Sequence, residues 1–418
     1  LGCQDDGSGC GSSTPFKQCI APQEIELPDT SKQIGDDRSP DHSLAWGFGE
    51  MQGWRESMED AHIAIGSLGQ TAQEGSKGWD STALFAVFDG HGGGQVARFC
   101  ERHMPEAIAE CPSEDYEHAL NVAFHRMDEM LEDPGYLREL RSFGNDPPGA
   151  RRRLSKWSAS PETIGCTAIV TCISPDAIVI ANAGDSRAVL CRSGRTVDLS
   201  QDHKPAAPEE ISRIHAAGGW VEEEIYGSFG EIVVHRVNGD LSLSRAIGDL
   251  EYKKNAHLPP SEQIISVAPD LGTVARQADD EFVILACDGI WDVVSSAQAV
   301  EFVRARLGPR HSWSNRLASG ELVVSSVACQ LMDFCFSPDL EQSSGLGGDN
   351  MTVVIVLFLP QQAQPSSPFI VPVTKGRPSI VRAVTTLAPP PPSYVPPHNG
   401  YVRTMTTPRY ISYAPPRA

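Results

Sequence analysis

Residues 82–93 read TALFAVFDGHGG, a stretch that combines a strand pattern with a group of chemically active residues. The apolar run at 84–88 predicts a buried strand that ends at Asp89, where glycine and histidine follow. A carboxylate beside glycine at the end of a buried strand is well placed to offer oxygen to a hard cation. The stretch therefore predicts a core strand and, at its end, part of a metal site.

Four other stretches combine carboxylates with glycine or with a second carboxylate. Two of them adjoin apolar runs, at 282–287 and 351–359. A single Asp-Gly is usually a turn, but several carboxylates gathered at strand ends repel one another unless a cation neutralises them. Oxygen ligands of this kind suit Mg²⁺ or Mn²⁺ rather than Zn²⁺. The four stretches are Glu59-Asp60, Gly184-Asp185, Asp288-Gly289 and Gly347-Gly348-Asp349-Asn350.

The charge of the 418-residue chain is strongly negative and unevenly distributed. The net charge is −20, yet residues 361–418 contain six Lys and Arg and no acidic residue. The rest of the chain therefore holds 28 basic and 54 acidic residues, a net charge of −26. Such an acidic surface argues against nucleic acid as a partner, because phosphate backbones bind basic surfaces. It favours divalent cations and basic peptides.

The patterns of apolar residues between 44 and 360 predict many strands and several long helices. Strands with antiparallel character and helices in paired runs are typical of an α+β fold. We expect an α/β/β/α sandwich, in which two stacked antiparallel sheets are flanked by helices. Strands are predicted at 44–54, 61–66, 82–89, 166–173, 177–183, 187–192, 232–237, 264–268, 281–287 and 351–359, and helices at 94–110, 115–131, 207–217, 296–307 and 318–335.

These elements predict one domain over residues 44–360, preceded by a flexible segment at 1–43 and followed by a disordered Pro-rich tail at 361–418. Residues 132–162 read as an inserted loop within the domain. The loop contains an Arg-Arg-Arg-Leu-Ser run that ends at Ser155 and is similar to the substrate pattern of basophilic kinases. An exposed basic loop is the simpler interpretation, and phosphate on Ser155 would partly cancel its charge.

Both ends of the chain contain short motifs. Gly2-Cys3 is similar to a start for dual acylation, although Asp6 stands where the consensus has Ser or Thr, and an ordinary flexible tail is the alternative. No basic and apolar secretory signal is visible, so we expect a cytoplasmic protein, with membrane association through Gly2 and Cys3 or a nuclear location left open. In the tail, a Pro-Pro-Ser-Tyr motif fits a polyproline II ligand of a WW-type domain, and it consists of Pro391, Pro392, Ser393 and Tyr394.

Nine short motifs follow one another between residues 55 and 352. They are RESMEDAH at 55–62, FDGHGG at 88–93, GCTA at 165–168, NAGDSR at 182–187, DHKP at 202–205, RVNG at 236–239, LSRAIGD at 243–249, DGIWD at 288–292 and DNMT at 349–352. This ordered set closely resembles the metal-dependent type 2C protein serine/threonine phosphatases, the PPM-type family. The resemblance spans about residues 44–360.

The resemblance implies a binuclear centre of two Mg²⁺ or Mn²⁺ ions, located between the two β-sheets. Asp89 would bridge both ions, and the carbonyl of Gly90 would bind one of them. Asp288 and Asp349 would bind the other ion. Glu59 and Asp60 would hold waters of the site or bind metal directly. Asp185, together with Asp288, would hold a weaker third ion.

The resemblance also implies a mechanism in which a water acidified by the cations attacks phosphorus, without a phosphoenzyme. Arg55 would grip the phosphate oxygens through its planar fork. His91 would protonate the leaving serine or threonine oxygen. Thr167 would support the site, and His62 would lie near the centre unless it is a buried structural histidine.

The expected function is therefore dephosphorylation of phosphoserine and phosphothreonine in phosphoproteins by a monomeric catalytic domain. Residues 204–236 resemble the flap beside the catalytic cleft of the family, and the run at 222–224 adds three glutamates to it. The alternatives are a phosphoprotein-binding or gated regulator with a phosphatase fold, and a hydrolase of small phosphate esters. Metal-dependent turnover of phosphopeptides, compared with sugar phosphates and nucleotides, separates these functions.

Overall fold

The computed structural model describes residues 27–70, 78–111, 115–144, 160–226 and 232–360, and most of its strands belong to two antiparallel sheets. In chain order the strands are β1 (Asp29–Arg38), β2 (Leu44–Gly53), β3 (Ala61–Ile65), β4 (Ala83–Phe88), β5 (Gly90–His91), β6 (Gly165–Cys166), β7 (Ala168–Ile173), β8 (Ala177–Ala183), β9 (Arg187–Arg192), β10 (Arg195–Asp198), β11 (Val221–Tyr226), β12 (Ile232–Val237), β13 (Ile247–Gly248), β14 (Asp270–Ala275), β15 (Asp280–Ala286) and β16 (Met351–Phe358).

The larger sheet has the strand order β1-β2-β16-β15-β9-β10, and the smaller one has the order β14-β8-β7-β4-β3. Two small sheets accompany them, the hairpin β11-β12 and the three short strands β13-β6-β5. Every pairing between neighbouring strands is antiparallel.

Helices cover the outer faces of the two sheets. The helices of the described residues are α1 (Gln95–Ala109), α2 (Tyr116–Glu132), α3 (Leu137–Ser142), α4 (Pro208–Ala216), α5 (Asp288–Trp291), α6 (Ser296–Leu307), α7 (Trp313–Ala318) and α8 (Val324–Cys335), with 3₁₀ turns at Leu68–Gln70, Leu250–Lys253, Pro260–Glu262 and Arg310–Ser312. The long helices α1 and α2 pack on the smaller sheet, and α6 and α8 pack on the larger one.

Strand β4 shows why the two sheets stack. All six of its residues are buried, and alternate side chains of a strand point to opposite faces of the sheet. Phe85 and Val87 join the apolar layer between the two sheets, whereas Leu84 and Phe88 join the layer under α1 and α2. An apolar run on both faces therefore requires a four-layer arrangement, and the predicted α/β/β/α sandwich is confirmed.

Two predicted elements were wrong. The segment 264–268 is not a strand, and the adjacent strand is β14 instead. Ile265 is buried because it packs with Ile214 of α4 and Val237 of β12, so its apolar character reflects loop packing rather than strand pairing. The helix predicted at 318–335 begins only at Val324, as α8, because α7 ends at Ala318 and the chain turns at Gly320, whose φ of 74° is readily accessible to glycine.

Ordered elements also occur where the sequence predicted flexible or inserted segments. Strand β1 lies within the segment 1–43, and α3 lies within the insertion 132–162. Three motifs fall outside the described residues, namely the acylation-like Gly2-Cys3, the kinase-type run that ends at Ser155 and the Pro-Pro-Ser-Tyr motif of the tail. Within the described ranges, none of the helices combines the length and apolar character that a bilayer span needs.

Asp36 links strand β1 to helix α8 through two hydrogen bonds. One carboxylate oxygen of Asp36 accepts a hydrogen bond of 2.8 Å from the backbone N–H of Ser325, in the first turn of α8, and the other accepts one from the Ser325 hydroxyl. An acidic group that caps the first turn of a helix typically stabilises it by about 1 kcal/mol.

We therefore expect Asp36→Ala to lower the free energy of unfolding by about 1 kcal/mol, as a capping residue does. Asp37→Ala is the control, because Asp37 is exposed and its carboxylate accepts only from the neighbouring N–H of Arg38 in the described structure. Urea denaturation of both variants measures the difference. Equal stability of the two would show that the contact between β1 and α8 contributes little.

Candidate active site

The predicted metal ligands meet at one end of the sandwich. In an antiparallel sheet the end of one strand lies beside the start of the next, so Asp288 after β15 and Asp349 before β16 meet at one end of the larger sheet. Asp89 follows β4 of the smaller sheet, and the stacking of the two sheets brings it to the same end. They line an open cleft of about 350 Å³. The predicted site residues in its lining are Arg55, Glu59, Asp89, Gly90, His91, Thr167, Asp185, Asp288 and Asp349.

The carboxylates at the centre of the cleft are close enough to repel one another. Asp89, Asp185 and Asp288 each place an oxygen within 4.8 Å of the others. Burial raises the pKa of Asp89 well above its usual value, and the charges of Asp288 and Asp60 raise it further. Burial also raises the pKa of Asp288, with Asp185 and Asp349 adding to the effect. A positive ion at this position would remove the repulsion.

Asp60 lies directly beneath the cleft and is 1% exposed. Its Oδ2 accepts a hydrogen bond of 2.7 Å from the Thr352 hydroxyl, whereas Oδ1 is buried without a hydrogen-bond partner among the described residues. Burial raises the pKa of Asp60 to about 7, against the opposing hydrogen bond from Thr352. A buried oxygen without a partner is costly, so Oδ1 is available to a ligand.

Two cationic side chains form ion pairs with carboxylates of the cleft. Arg55 forms an ion pair of 2.5 Å with Asp349, and Lys204 forms one of 2.7 Å with Asp185. Lys204 also lies 3.7 Å from Asp292. The sequence interpretation assigned no role to Lys204 or Asp292, although both stand in quoted motifs, DHKP and DGIWD. These pairs show that the cluster attracts positive charge at both of its edges.

Glycine is required at two positions of the site for steric reasons. A Cβ at Gly90 would overlap the backbone carbonyl of Glu59. Glycine is needed at this position because the backbone of the Glu59 loop packs directly against it. At Gly184, φ is 115° and a Cβ would lie 2.5 Å from the Cβ of Thr167. Side chains at either position would displace the loops that carry the carboxylates.

His91 forms a pair with Asp249, which the sequence interpretation missed. His91 Nε2 lies 2.7 Å from Asp249 Oδ2, and Asp249 is 1% exposed. Burial lowers the pKa of His91, but the charge and hydrogen bond of Asp249 outweigh it, so that the net shift is upward. His91 Nδ1 is buried without a partner among the described residues. The only signal for Asp249 was its place at the end of the LSRAIGD motif.

Thr167 and Glu59 form hydrogen bonds that support the loops of the cleft, whereas His62 does not line the cleft in the described structure. Thr167 donates its N–H to the Asp89 carbonyl at 2.9 Å and accepts the Asp89 N–H at its hydroxyl at 3.3 Å. Glu59 accepts hydrogen bonds from the N–H of Gly93 and from the Ser57 hydroxyl. His62 lies outside the described lining of the cleft, and its Nδ1 is 2.6 Å from Glu50 Oε1.

The donor set fits hard divalent cations. Asp60 and Asp89 also converge with Cys287, but burial raises the pKa of that thiol well above its usual value, and its Sγ lies 3.5 Å from the Asn350 carbonyl, to which it donates. The groups that remain are carboxylates, together with the carbonyl of Gly90. Oxygen donors of this type suit Mg²⁺ or Mn²⁺ and do not resemble the Cys and His sets of zinc sites.

Comparison with known proteins is consistent with this geometry. Residues 44–341 match the model of the family described as protein phosphatase 2C. The chain is 43% identical over 324 residues to protein phosphatase 2C homolog 2 of Schizosaccharomyces pombe, covering 76% of this chain and 74% of that protein. It is 37% identical over 362 residues to probable protein phosphatase 2C 11 of Oryza sativa, covering 80% and 90% of the two chains.

A solved structure described as a phosphatase from a pathogenic strain of Toxoplasma gondii has the same fold. Its TM-score is 0.56 at 24% sequence identity, and the match covers 79% of this chain and 96% of that one. The family match and the curated relatives extend over most of the described chain. The chain therefore belongs to the protein phosphatase 2C family and is a protein serine/threonine phosphatase.

Proposed function

We propose that the protein hydrolyses phosphoserine and phosphothreonine in proteins, in a reaction that depends on two Mg²⁺ or Mn²⁺ ions. The observation that carries this proposal is the convergence of Asp89, Asp185 and Asp288 with the unpartnered Oδ1 of Asp60 beneath them. Asp89 belongs to both groups, and carboxylates this close repel one another unless a cation or a proton neutralises them.

The carboxylates divide into three roles in this proposal. Asp89 and the carbonyl of Gly90 would hold one ion, and Asp89, Asp288 and Asp349 would hold the other. Glu59 and Asp60 would fix waters around them or bind directly. Asp185 is paired with Lys204, so a third ion at Asp185 would have to displace an ammonium group and would bind more weakly. When bound, the ions would supply Lewis acidity, which neutralises phosphate charge and lowers the pKa of the attacking water.

The side chains around the ions bind the substrate and move the proton. Arg55 has a 61% exposed side chain at the edge of the cleft, where its guanidinium can exchange Asp349 for the oxygens of a phosphate. His91 would protonate the leaving oxygen of serine or threonine. Asp249 holds Nε2 of His91, which leaves Nδ1 as the ring nitrogen without a partner in the described structure. The cleft opens to solvent, as a protein substrate requires.

Release of phosphate from a phosphothreonine peptide tests the proposal. We expect turnover with Mg²⁺ or Mn²⁺, its loss with excess EDTA and its return when metal is restored, because the carboxylates alone cannot activate water. Folded protein that gives no turnover with either metal would instead support a gated or purely phosphoprotein-binding role. Faster turnover of sugar phosphates or nucleotides than of phosphopeptides would favour a hydrolase of small esters.

A further inference from the structure

Asn350 is a buried amide next to Asp349, and it is 5% exposed. Its Nδ2 donates hydrogen bonds to the carbonyl of Gln52 at 2.8 Å and to the carbonyl of Ser57 at 3.0 Å. Its Oδ1 accepts a hydrogen bond of 2.8 Å from the N–H of Glu59. Only one orientation of the amide satisfies these partners, because the two carbonyls need a donor and the N–H needs an acceptor.

All three partners belong to residues 52–59, which comprise the end of β2 and most of the connection from it to β3 and which carry Arg55 and Glu59. The first half of this connection has its own anchors, since Trp54 donates its N–H to the Gly348 carbonyl and its indole N–H to the Ser337 carbonyl. The second half is held by Asn350 and by the bond from Gly93 to Glu59. Asn350 therefore fixes the distance between the two ends of the segment that contains Arg55.

We propose that Asn350 is a positioning residue that holds Arg55 over the cleft, and this inference rests on the proposed phosphate contact of Arg55. Arg55 is long and exposed, and the side-chain partner that the structure gives it is Asp349. The backbone of Arg55 is fixed indirectly, through the Gln52 side chain, which donates to the Arg55 carbonyl at 2.9 Å. Loosening of this segment would add an ordering cost to each binding of phosphate.

Asn350→Asp tests this inference because the aspartate side chain has nearly the same shape as the asparagine side chain. The carboxylate can still accept from the Glu59 N–H but cannot donate to the carbonyls of Gln52 and Ser57. Gln263→Glu is a matched control outside the described lining of the cleft. Gln263 is also 5% exposed, donates to the carbonyls of Asn255 and Leu258 at 2.8 and 2.9 Å, and accepts from the Asn255 N–H at 3.2 Å.

The experiment is a double-mutant cycle with Arg55→Ala, measured on a phosphothreonine peptide with Mn²⁺. We expect Asn350→Asp to raise KM roughly tenfold in the wild-type background, with a smaller change in kcat, because it disturbs the phosphate grip. In the Arg55→Ala background the same substitution should change KM less than about twofold, because the guanidinium that Asn350 is proposed to position is absent. Gln263→Glu should leave KM unchanged in both backgrounds.

Three measurements distinguish the outcomes. If Arg55→Ala alone leaves KM unchanged, the phosphate contact fails and the inference fails with it, while EDTA-sensitive turnover still supports the proposed function. If Arg55→Ala raises KM but the effects of the two substitutions add, Asn350 does not act through Arg55. Calorimetric titration with Mn²⁺ shows whether Asn350→Asp weakens metal binding through the neighbouring Asp349. Weaker metal binding as the cause of the higher KM would also overturn the inference. If Asn350→Asp does not fold in a thermal scan, Asn350→Ala replaces it in the same cycle.

Discussion

Asp89→Asn is expected to abolish metal-dependent turnover and, at the same time, to stabilise the metal-free protein. The first effect follows from the proposed function, in which Asp89 would be shared by both ions. Loss of about 4 kcal/mol of transition-state stabilisation corresponds to a rate reduction of roughly 10³-fold, and the loss of a shared ligand should reach at least this value.

The stabilising effect has a separate cause. Burial raises the pKa of Asp89, and the charges of Asp288, Asp60, Asp349 and Asp185 raise it further, so that its charged form is disfavoured. A neutral amide of the same shape removes this repulsion in the metal-free protein. We expect the Tm in EDTA to rise by roughly 2 °C or more, which corresponds to about 1 kcal/mol in a domain of this size.

Thermal scans with and without Mn²⁺ measure both effects on one sample. Wild-type protein should gain Tm when Mn²⁺ is added, because an ion that binds only the folded state stabilises it, and Asp89→Asn should gain little. Asp176→Asn is the control, since Asp176 is exposed in the turn between β7 and β8, at the opposite end of the same sheet. Full metal-dependent activity of Asp89→Asn would remove Asp89 from the metal site.

His91→Ala is expected to lower kcat for a phosphothreonine peptide by roughly 10²–10³-fold, with little change in KM, because a general acid acts in the transition state. The effect should depend on the leaving group. An alkoxide needs a proton as the bond to phosphorus breaks, whereas p-nitrophenolate is stable without one. The loss of kcat should therefore be much smaller with p-nitrophenyl phosphate than with the peptide.

Substitution of Asp249 is a second test of proton transfer from His91. Asp249→Asn keeps a hydrogen-bonding group at 2.7 Å from His91 Nε2 but removes the negative charge that favours the charged imidazole. We expect a kcat loss in the same direction as His91→Ala and smaller in size, with the same dependence on the leaving group. A peptide kcat unchanged in His91→Ala would remove His91 as the general acid.

Much of the fold could be predicted from local sequence. The strands β4, β15 and β16 are continuous apolar runs, and a strand buried on both faces needs a layer on each side, which leads directly to the sandwich. Strand β1 could not be predicted in this way. Most of its residues are exposed and polar, so the strand exists because its backbone pairs with β2 and Asp36 binds α8.

The candidate site shows the same division. The sequence by itself determined which residues carry carboxylates, an imidazole and a guanidinium, and that several of them stand at strand ends, since these are properties of residue type and of local periodicity. Tertiary structure alone decided which of them meet. Asp249 is 158 positions from His91 and Asn350 is 291 positions from Glu59, and no local pattern links residues so far apart. Their contacts arise because stacking of the two sheets brings distant loops to one edge, where the shapes of the packed side chains fix each pair.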